Sequence, residues 1–288
     1  IHTITLYGTE FAMVPTGSGG NTQPELTEII INTINSGIGI INYIGHGSQE
    51  TLAHELILEL DRDINLMNTD NKPPIWIIGT CSFGQYINKV CMAEELLKTD
   101  DAAIAIIATT HGVGATTNNE YLSNFYNRIG DYVDGNTDRL GDIFKKAKLS
   151  FNDNICTPYK FQLFGDPALP VLLSHKTSNL FQPPNSVIIG NSNSIDVNTL
   201  QNEQAYIKIL GQDIVGNLEG QNYLKPGPLL FESYFDQSIN FYVPIEVNPS
   251  ETVKIIIAKE EIEDFNNNII QIESSIDLEL DINSDLFE

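Results

Sequence analysis

Three apolar runs in the first half of the chain end in residues that can do chemistry. "INYIGHGSQE" (Ile41–Glu50) passes from β-branched residues into Gly45-His46-Gly47. "PPIWIIGT" (Pro73–Thr80) leads straight into Cys81 and Ser82, and "AAIAIIATT" (Ala102–Thr110) into His111 and Gly112. The thiolate form of cysteine is the nucleophile, and a nearby imidazole lowers the thiol pKa or accepts its proton. Cys81 with a histidine at a neighbouring strand end is therefore a candidate dyad for attack on a carbonyl. His46 and His111 both qualify as the partner. Glycines on either side of His46 let backbone and substrate come close. The N–H groups of Gly47 and Cys81 are candidates for an oxyanion hole. Plainer readings compete with this one. A cysteine at a strand end is commonly a small buried hydrophobe, and a histidine among glycines is commonly a hydrogen-bonded turn residue.

The elements that must position these residues follow from the hydrophobic pattern. The three runs are continuous rather than alternating, as expected of strands in a parallel sheet covered on both faces. Thr3–Tyr7 reads as a short strand. Residues 22–36 read as a helix: Pro24 suits its first turn, Leu26, Ile29, Ile30, Thr33 and Ile34 share a face, and Gly37 fits the position after its end. Residues 91–99, 119–133 and 139–151 read as further helices. "KFQLFGDPALPVLL" reads as a strand, an Asp-Pro turn at Asp166 and another short strand. This alternation predicts an α/β fold with a mostly parallel sheet flanked by helices. In such sheets, sites gather at the carboxyl ends of the strands. After about Ser174 the texture changes. "SHKTSNLFQPPNS" reads as a linker. The runs beyond it are short, β-rich and separated by turns, which predicts a small β-sandwich. The predicted domains are residues 1–175 and 176–288.

Composition narrows the function classes. The 288 residues carry a net charge of −23, and both parts are acidic: 10 basic against 20 acidic residues before His175, and 5 against 18 from there on. A polyanion is repelled by such a surface, so nucleic acid is not an expected partner. Three cysteines (Cys81, Cys91 and Cys156) without CxxC spacing make neither a disulfide framework nor a zinc site. No apolar run approaches the roughly 20 residues of a membrane helix. The first residue is Ile1, so the chain reads as an excerpt or a processed product.

"NYIGHGS", "PPIWIIGTCSFGQY" with "AEELL" after it, "AAIAIIATTHGV…NNEYLSNFY" and "FQLFGDPAL" together resemble the gingipain family of cysteine peptidases, of the caspase-like clan. The resemblance runs over roughly residues 3–175. "LKPGPLLFESYFDQSINFYVPIEV" is similar to the β-rich region that follows the catalytic domain in some members. The chain most resembles the members that act as signal peptidase and sortase in type IX secretion. The resemblance implies a caspase-like fold followed by an immunoglobulin-like sandwich. It implies His46 as catalytic histidine, Cys81 as nucleophile, and Gly47 and Cys81 as oxyanion donors. Thr109, Thr110, His111 and Gly112 would border the substrate's P1 pocket. It also implies a protein or peptide substrate, type IX secretion components as partners, and an extracellular or outer-membrane surface location in a bacterium. It further implies a catalysis that needs no cofactor.

The chain departs from the family pattern in places. A tryptophan is expected after "IGHGS", where this chain has "QETLAHE". Ser82 and Gln85 stand where an acidic and a basic residue are common. Upstream sequence, including an acidic residue to orient His46, is expected and not present, and Glu10 is a weak substitute. A catalytically inactive surface or secretion component with the same fold is the alternative function. Cys91 and Cys156 read as structural, and His2 and His175 as bystanders. His54 and Glu55, with Glu59, read as a solvated helix face. Acidic clusters at Asp61/Asp63 and Glu260–Asp264 are candidates for structural Ca²⁺.

Overall fold

The structure is a computed structural model. It describes residues 4–17, 19–151, 157–171, 175–176, 184, 186–196, 205–218, 221–225, 227–244, 252–263 and 266–279. The chain divides into two compact units: Leu6–Leu172, and Leu173–Glu288 together with Ile1–Thr5.

The first unit is built on a four-stranded sheet. Its strands are β1 (Ile40–Ile44), β4 (Ile75–Gly79), β5 (Ala105–Thr109) and β6 (Phe161–Gly165), in spatial order β1-β4-β5-β6. A small hairpin of β2 (Thr51–Leu52) and β3 (Leu58–Glu59) lies between β1 and β4 in sequence. β1, β4 and β5 run parallel, and β6 closes the sheet antiparallel. The longer helices are α1 (Pro24–Asn35), α2 (Met92–Lys98), α3 (Ala115–Val133) and α4 (Leu140–Leu149), with single turns at Leu60–Asp63 and Thr157–Lys160. Pro24 occupies the first turn of α1, where its missing N–H costs nothing, and Gly37 takes φ +93° just past the helix end. Trp76, Ile78, Ile106 and Ala108 form one buried cluster with Ile31 and Ile34 of α1 and Met92 and Leu96 of α2. Against the opposite face Tyr121 of α3 stacks on Phe161, and Leu122 lies over Gly79. The sheet is thus covered on both sides, as its continuous apolar strands require.

Three expectations need correction. Residues 4–7 form no strand, and a 3-10 turn follows at Gly8–Glu10. β1 is parallel but not fully buried: it is an edge strand, and Ile44 is 56% exposed. His54 and Glu55 lie in the turn of the β2–β3 hairpin rather than on a helix, with Ala53 and Leu56 at positive φ. The "FGDPAL" turn is as expected, with the Ala168 N–H donating to Asp166 Oδ1 at 2.8 Å.

The second unit contains strands and no helix among the described residues. They are β7 (Ser186–Ile188), β8 (Ser192–Asp196), β9 (Ala205–Leu210), β10 (Ile214–Leu218), β11 (Gln221–Lys225), β12 (Leu229–Phe235), β13 (Ser238–Tyr242), β14 (Thr252–Glu263) and β15 (Asn266–Glu279). The main sheet runs β7-β15-β14-β9-β12, and β8–β13 and β10–β11 form separate pairs. Alternate residues Ile207, Ile209, Val253, Ile255 and Ile257 share its core. His175 and Lys176, expected in a linker, pair with β15. Most of that linker, and Cys156, lie outside the described residues.

Candidate active site

The sheet brings the three strand ends together. In the β1–β4 ladder Ile44 pairs with Gly79, so His46 and Cys81 each stand two residues past the same register position. In the β4–β5 ladder Ile78 pairs with Ala108, which carries Thr109–Gly112 to the other side of Cys81. Neighbouring strands are about 4.8 Å apart. The buried Asn118 of α3 ties the ends from below. Its Nδ2 donates to the Gly79 carbonyl at 2.8 Å, and the Gly45 N–H donates to the same oxygen at 3.3 Å.

Cys81 sits half-buried at a sharp bend. Ser82 follows it at φ +55°, a strained conformation for a residue with a side chain. The bend is held by Gln85 N–H on Ser82 O at 3.0 Å and Gly84 N–H on Thr109 O at 2.9 Å. Gly84 packs closely here: a Cβ would stand 2.6 Å from the Phe164 ring, which would have to give way. The thiol faces Val113: Sγ donates to Val113 O at 3.5 Å, and the Val113 N–H approaches Sγ at 3.4 Å. Among the described residues no hydrogen bond joins Sγ to the His46 ring.

His46 is exposed, and its backbone is fixed from two directions. Its carbonyl accepts from Tyr43 Oη at 2.7 Å and from the Ala53 N–H at 2.8 Å. Burial pushes the Tyr43 hydroxyl up to about 12, with the Ala53 N–H opposing the shift and Glu55 adding to it. The imidazole stacks on that of His54, with centroids 4.9 Å apart and planes 8° from parallel. Gly47 has no room for a side chain, since a Cβ would meet Thr80 Oγ1 at 2.7 Å and Thr51 O at 3.2 Å. The bridge between Gly47 and Leu52 uses Ser48 N–H on Thr51 O and Ala53 N–H on His46 O. The Gly47 N–H takes no part in it.

The loops after His46 and Cys81 are tied to each other. The Met92 N–H donates to Gln49 O at 2.7 Å, Gln49 Nε2 donates to Gln85 O, and Lys89 pairs with Glu50 at 2.7 Å. Of the four residues expected at the P1 pocket, Thr109 is fully buried, and its hydroxyl donates to Thr80 O. Its side chain is structural. Thr110, half-buried, and the exposed His111 and Gly112 lie beyond it, with Thr110 Oγ1 3.0 Å from His111 Nδ1. Lys160, which sequence reasoning passed over, clamps this segment. Its Nζ donates to Gly112 O at 2.6 Å and its carbonyl accepts from Thr110 N–H at 2.8 Å. No local signal marks a contact across 48 residues.

Other sequence candidates separate from the site. Cys91 caps α2 in a capping box with Glu94, and burial pushes its thiol up. Asp63 is buried and already accepts from Arg62 Nε and Nη2 and from the Glu59 N–H, each at 2.7 Å, which leaves it poorly placed to bind Ca²⁺. Glu10 is exposed in its 3-10 turn. The side chains of Glu260–Asp264 lie outside the described residues. Among the described residues no three His, Cys, Asp or Glu converge as a metal site.

Residues 1–172 match Peptidase family C25. The chain belongs to this family of cysteine peptidases. Among solved structures, the C25 chain is similar to the Arg-specific cysteine proteinase gingipain R (RgpB) at 15% identity, with a TM-score of 0.47, over 88% of this chain and 56% of that one. It is also similar to the complex of Porphyromonas gingivalis RgpB pro- and mature domains, at 15% identity and a TM-score of 0.41, over 88% and 57% of the two chains. The chain thus spans little more than half the length of the gingipain chains it matches. No curated protein matches it. No helix among the described residues is long and apolar enough to cross a membrane.

Proposed function

We propose that this C25 chain carries the catalytic dyad of a gingipain-type cysteine endopeptidase or transpeptidase, with Cys81 as nucleophile and His46 as general acid–base. The observation that carries this reading is the shared register of the two residues, each two positions past the paired Ile44 and Gly79. His46 takes the Cys81 proton, and the thiolate attacks a peptide carbonyl carbon. Negative charge develops on the carbonyl oxygen, and the N–H groups of Gly47 and Cys81 are assigned to receive it. The C–N bond then breaks, His46 gives its proton to the leaving amine, and a thioester remains on Cys81. Water or a second amine attacks the thioester, His46 takes the incoming proton, and the thiolate is released. Thr110, His111 and Gly112 border the P1 side chain. No metal or cofactor is needed for these steps.

The likeness to type IX secretion peptidases of the PorU kind extends the proposal. The substrate would be a C-terminal secretion signal on exported cargo, and the site of action the bacterial cell surface. In this reading residues 1–175 are the peptidase domain and residues 176–288 an immunoglobulin-like β domain.

The direct test is cleavage of an unfolded protein or peptide library by the chain and by Cys81→Ala. Loss of a catalytic nucleophile costs roughly 10⁴–10⁶-fold in kcat. Cleavage undiminished in Cys81→Ala ends the proposal. Added amine, captured in the product, separates transpeptidation from hydrolysis. One observation favours a second reading, a non-catalytic surface or secretion component: the Cys81 thiol is bonded to Val113 and not to His46. Normal cargo processing in cells carrying Cys81→Ala would select it.

A further inference from the structure

The ring of His46 has no hydrogen-bonded side-chain partner among the described residues. A catalytic histidine is ordinarily held in plane by a group bonded to its second nitrogen, as an aspartate does in serine peptidases. What touches the His46 ring is another ring. His54 lies face to face with it at a centroid distance of 4.9 Å and an interplanar angle of 8°.

His54 is well placed to act as a fixed surface. The turn that carries it is bonded to the residue it covers, through the Ala53 N–H on His46 O at 2.8 Å. On either side of His54 the chain is anchored in the interior. Leu52 and Ala53 are buried, and Ile57 O accepts from the buried Thr27 hydroxyl at 2.6 Å. Arg62 Nη2 holds Leu56 O at 2.7 Å. The positive φ angles of Ala53 and Leu56 show the backbone bent to fit this turn. An anchored turn presenting one exposed aromatic ring parallel to another restricts the second ring's rotation about its Cβ–Cγ bond. It does so without consuming either imidazole nitrogen, so both stay free for proton transfer.

We propose that His54 is a positioning residue that sets the ring plane of His46 by stacking. This rests on the assignment of His46 as the proton acceptor of Cys81. Small misplacements of a catalytic group cost about 10²-fold in rate, so removing the platform has a measurable effect. Phenylalanine can stack but cannot carry a proton, and it therefore separates positioning from proton relay.

The experiment is the iodoacetamide alkylation rate of Cys81 near neutral pH, followed by peptide mass mapping in the 288-residue chain. Wild type is compared with His46→Ala, His54→Ala and His54→Phe. Fluorescence of the single, fully buried Trp76 confirms that each variant is folded. The expected result is that His46→Ala and His54→Ala both slow Cys81, the second by about 10-fold or more, and that His54→Phe restores the rate to within about 3-fold of wild type. If His46→Ala slows Cys81 and His54→Ala does not, the positioning role falls and the dyad stands. If His54→Phe is as slow as His54→Ala, stacking is not what His54 supplies. If His46→Ala changes nothing, the dyad fails and the role of His54 fails with it.

Discussion

The two strands that carry the proposed dyad have the same length and register but opposite surroundings. β4 is buried at all five positions and paired on both sides. β1 is the sheet edge, half-buried for most of its length and exposed at Ile44. Cys81 therefore inherits its position from the core, through a central strand that cannot shift without disturbing Trp76 and Ile78. His46 inherits little from its strand. Its place is set locally, by Tyr43 beneath its carbonyl, by the β2–β3 hairpin and by the lack of room at Gly47. In the proposed dyad the nucleophile thus sits on the core and the base on a scaffolded edge, one partner rigid and the other adjustable.

The largest effect expected from this contrast is on stability. Trp76→Ala removes a fully buried ring and its hydrogen bond to Ala102 O, and is expected to cost about 3–5 kcal/mol. Ile44→Ala, on the exposed end of β1, is expected to change stability by no more than about 0.5 kcal/mol. Urea unfolding followed by circular dichroism compares the two, and equal costs would erase the distinction between the strands.

Gly47→Ala comes next. Its Cβ has no room beside Thr80, so the turn after His46 must shift at a cost of about 1–3 kcal/mol. Thr80→Ala removes both obstructing side-chain atoms and a buried hydroxyl that has no partner among the described residues. The double variant is therefore expected to recover most of the loss. Failure to recover would place the obstruction at the Thr51 carbonyl instead.

A smaller effect is tied to pH. Tyr43→Phe removes the bond to His46 O, worth about 0.5–1.5 kcal/mol. The folded-state value of about 12 lies above the ordinary tyrosine value of 10.0, so the protonated hydroxyl is the form that folding favours. Its contribution is complete below pH 10 and is lost as pH rises through 12. The stability gap between wild type and Tyr43→Phe should therefore narrow on alkaline titration. A gap that widens in that range would contradict the buried, bonded hydroxyl.

The least effect belongs to the Glu50–Lys89 pair, about half-exposed on both sides. Lys89→Ala is expected to cost less than about 0.5 kcal/mol, and less still in high salt. A larger loss would mean that the charge pair, and not Gln49, ties the two loops together.

The core of this contrast was legible in the residues. Continuous β-branched runs mark a covered parallel sheet, and that sheet puts Cys81 and His46 at neighbouring ends. Proline at the start of α1 and Gly37 at its end mark that helix within two residues. The edge position of β1 was not legible, because a central and an edge strand can share one apolar composition and only the strand order separates them. His54, Glu55 and Glu59 fall at helical spacing and so suggest a helix face, whereas Leu52 and Leu58 are held by pairing across a turn. That spacing hides the ring that stacks on His46. Lys160 was hidden because its partners, Thr110 and Gly112, are distant in sequence. Asn118 was hidden because a buried amide in a helix announces nothing until its carbonyl acceptor is known.

The central claim is that Cys81 is the activated thiol of this C25 chain. Time-resolved alkylation by iodoacetamide, with adducts mapped to each of the three cysteines, tests it most directly. Cys81 should be modified first and faster than Cys91 and Cys156, Cys91 being sealed in the core with its thiol pushed up by burial. If Cys81 reacts no faster than either of the others, it is not the nucleophile.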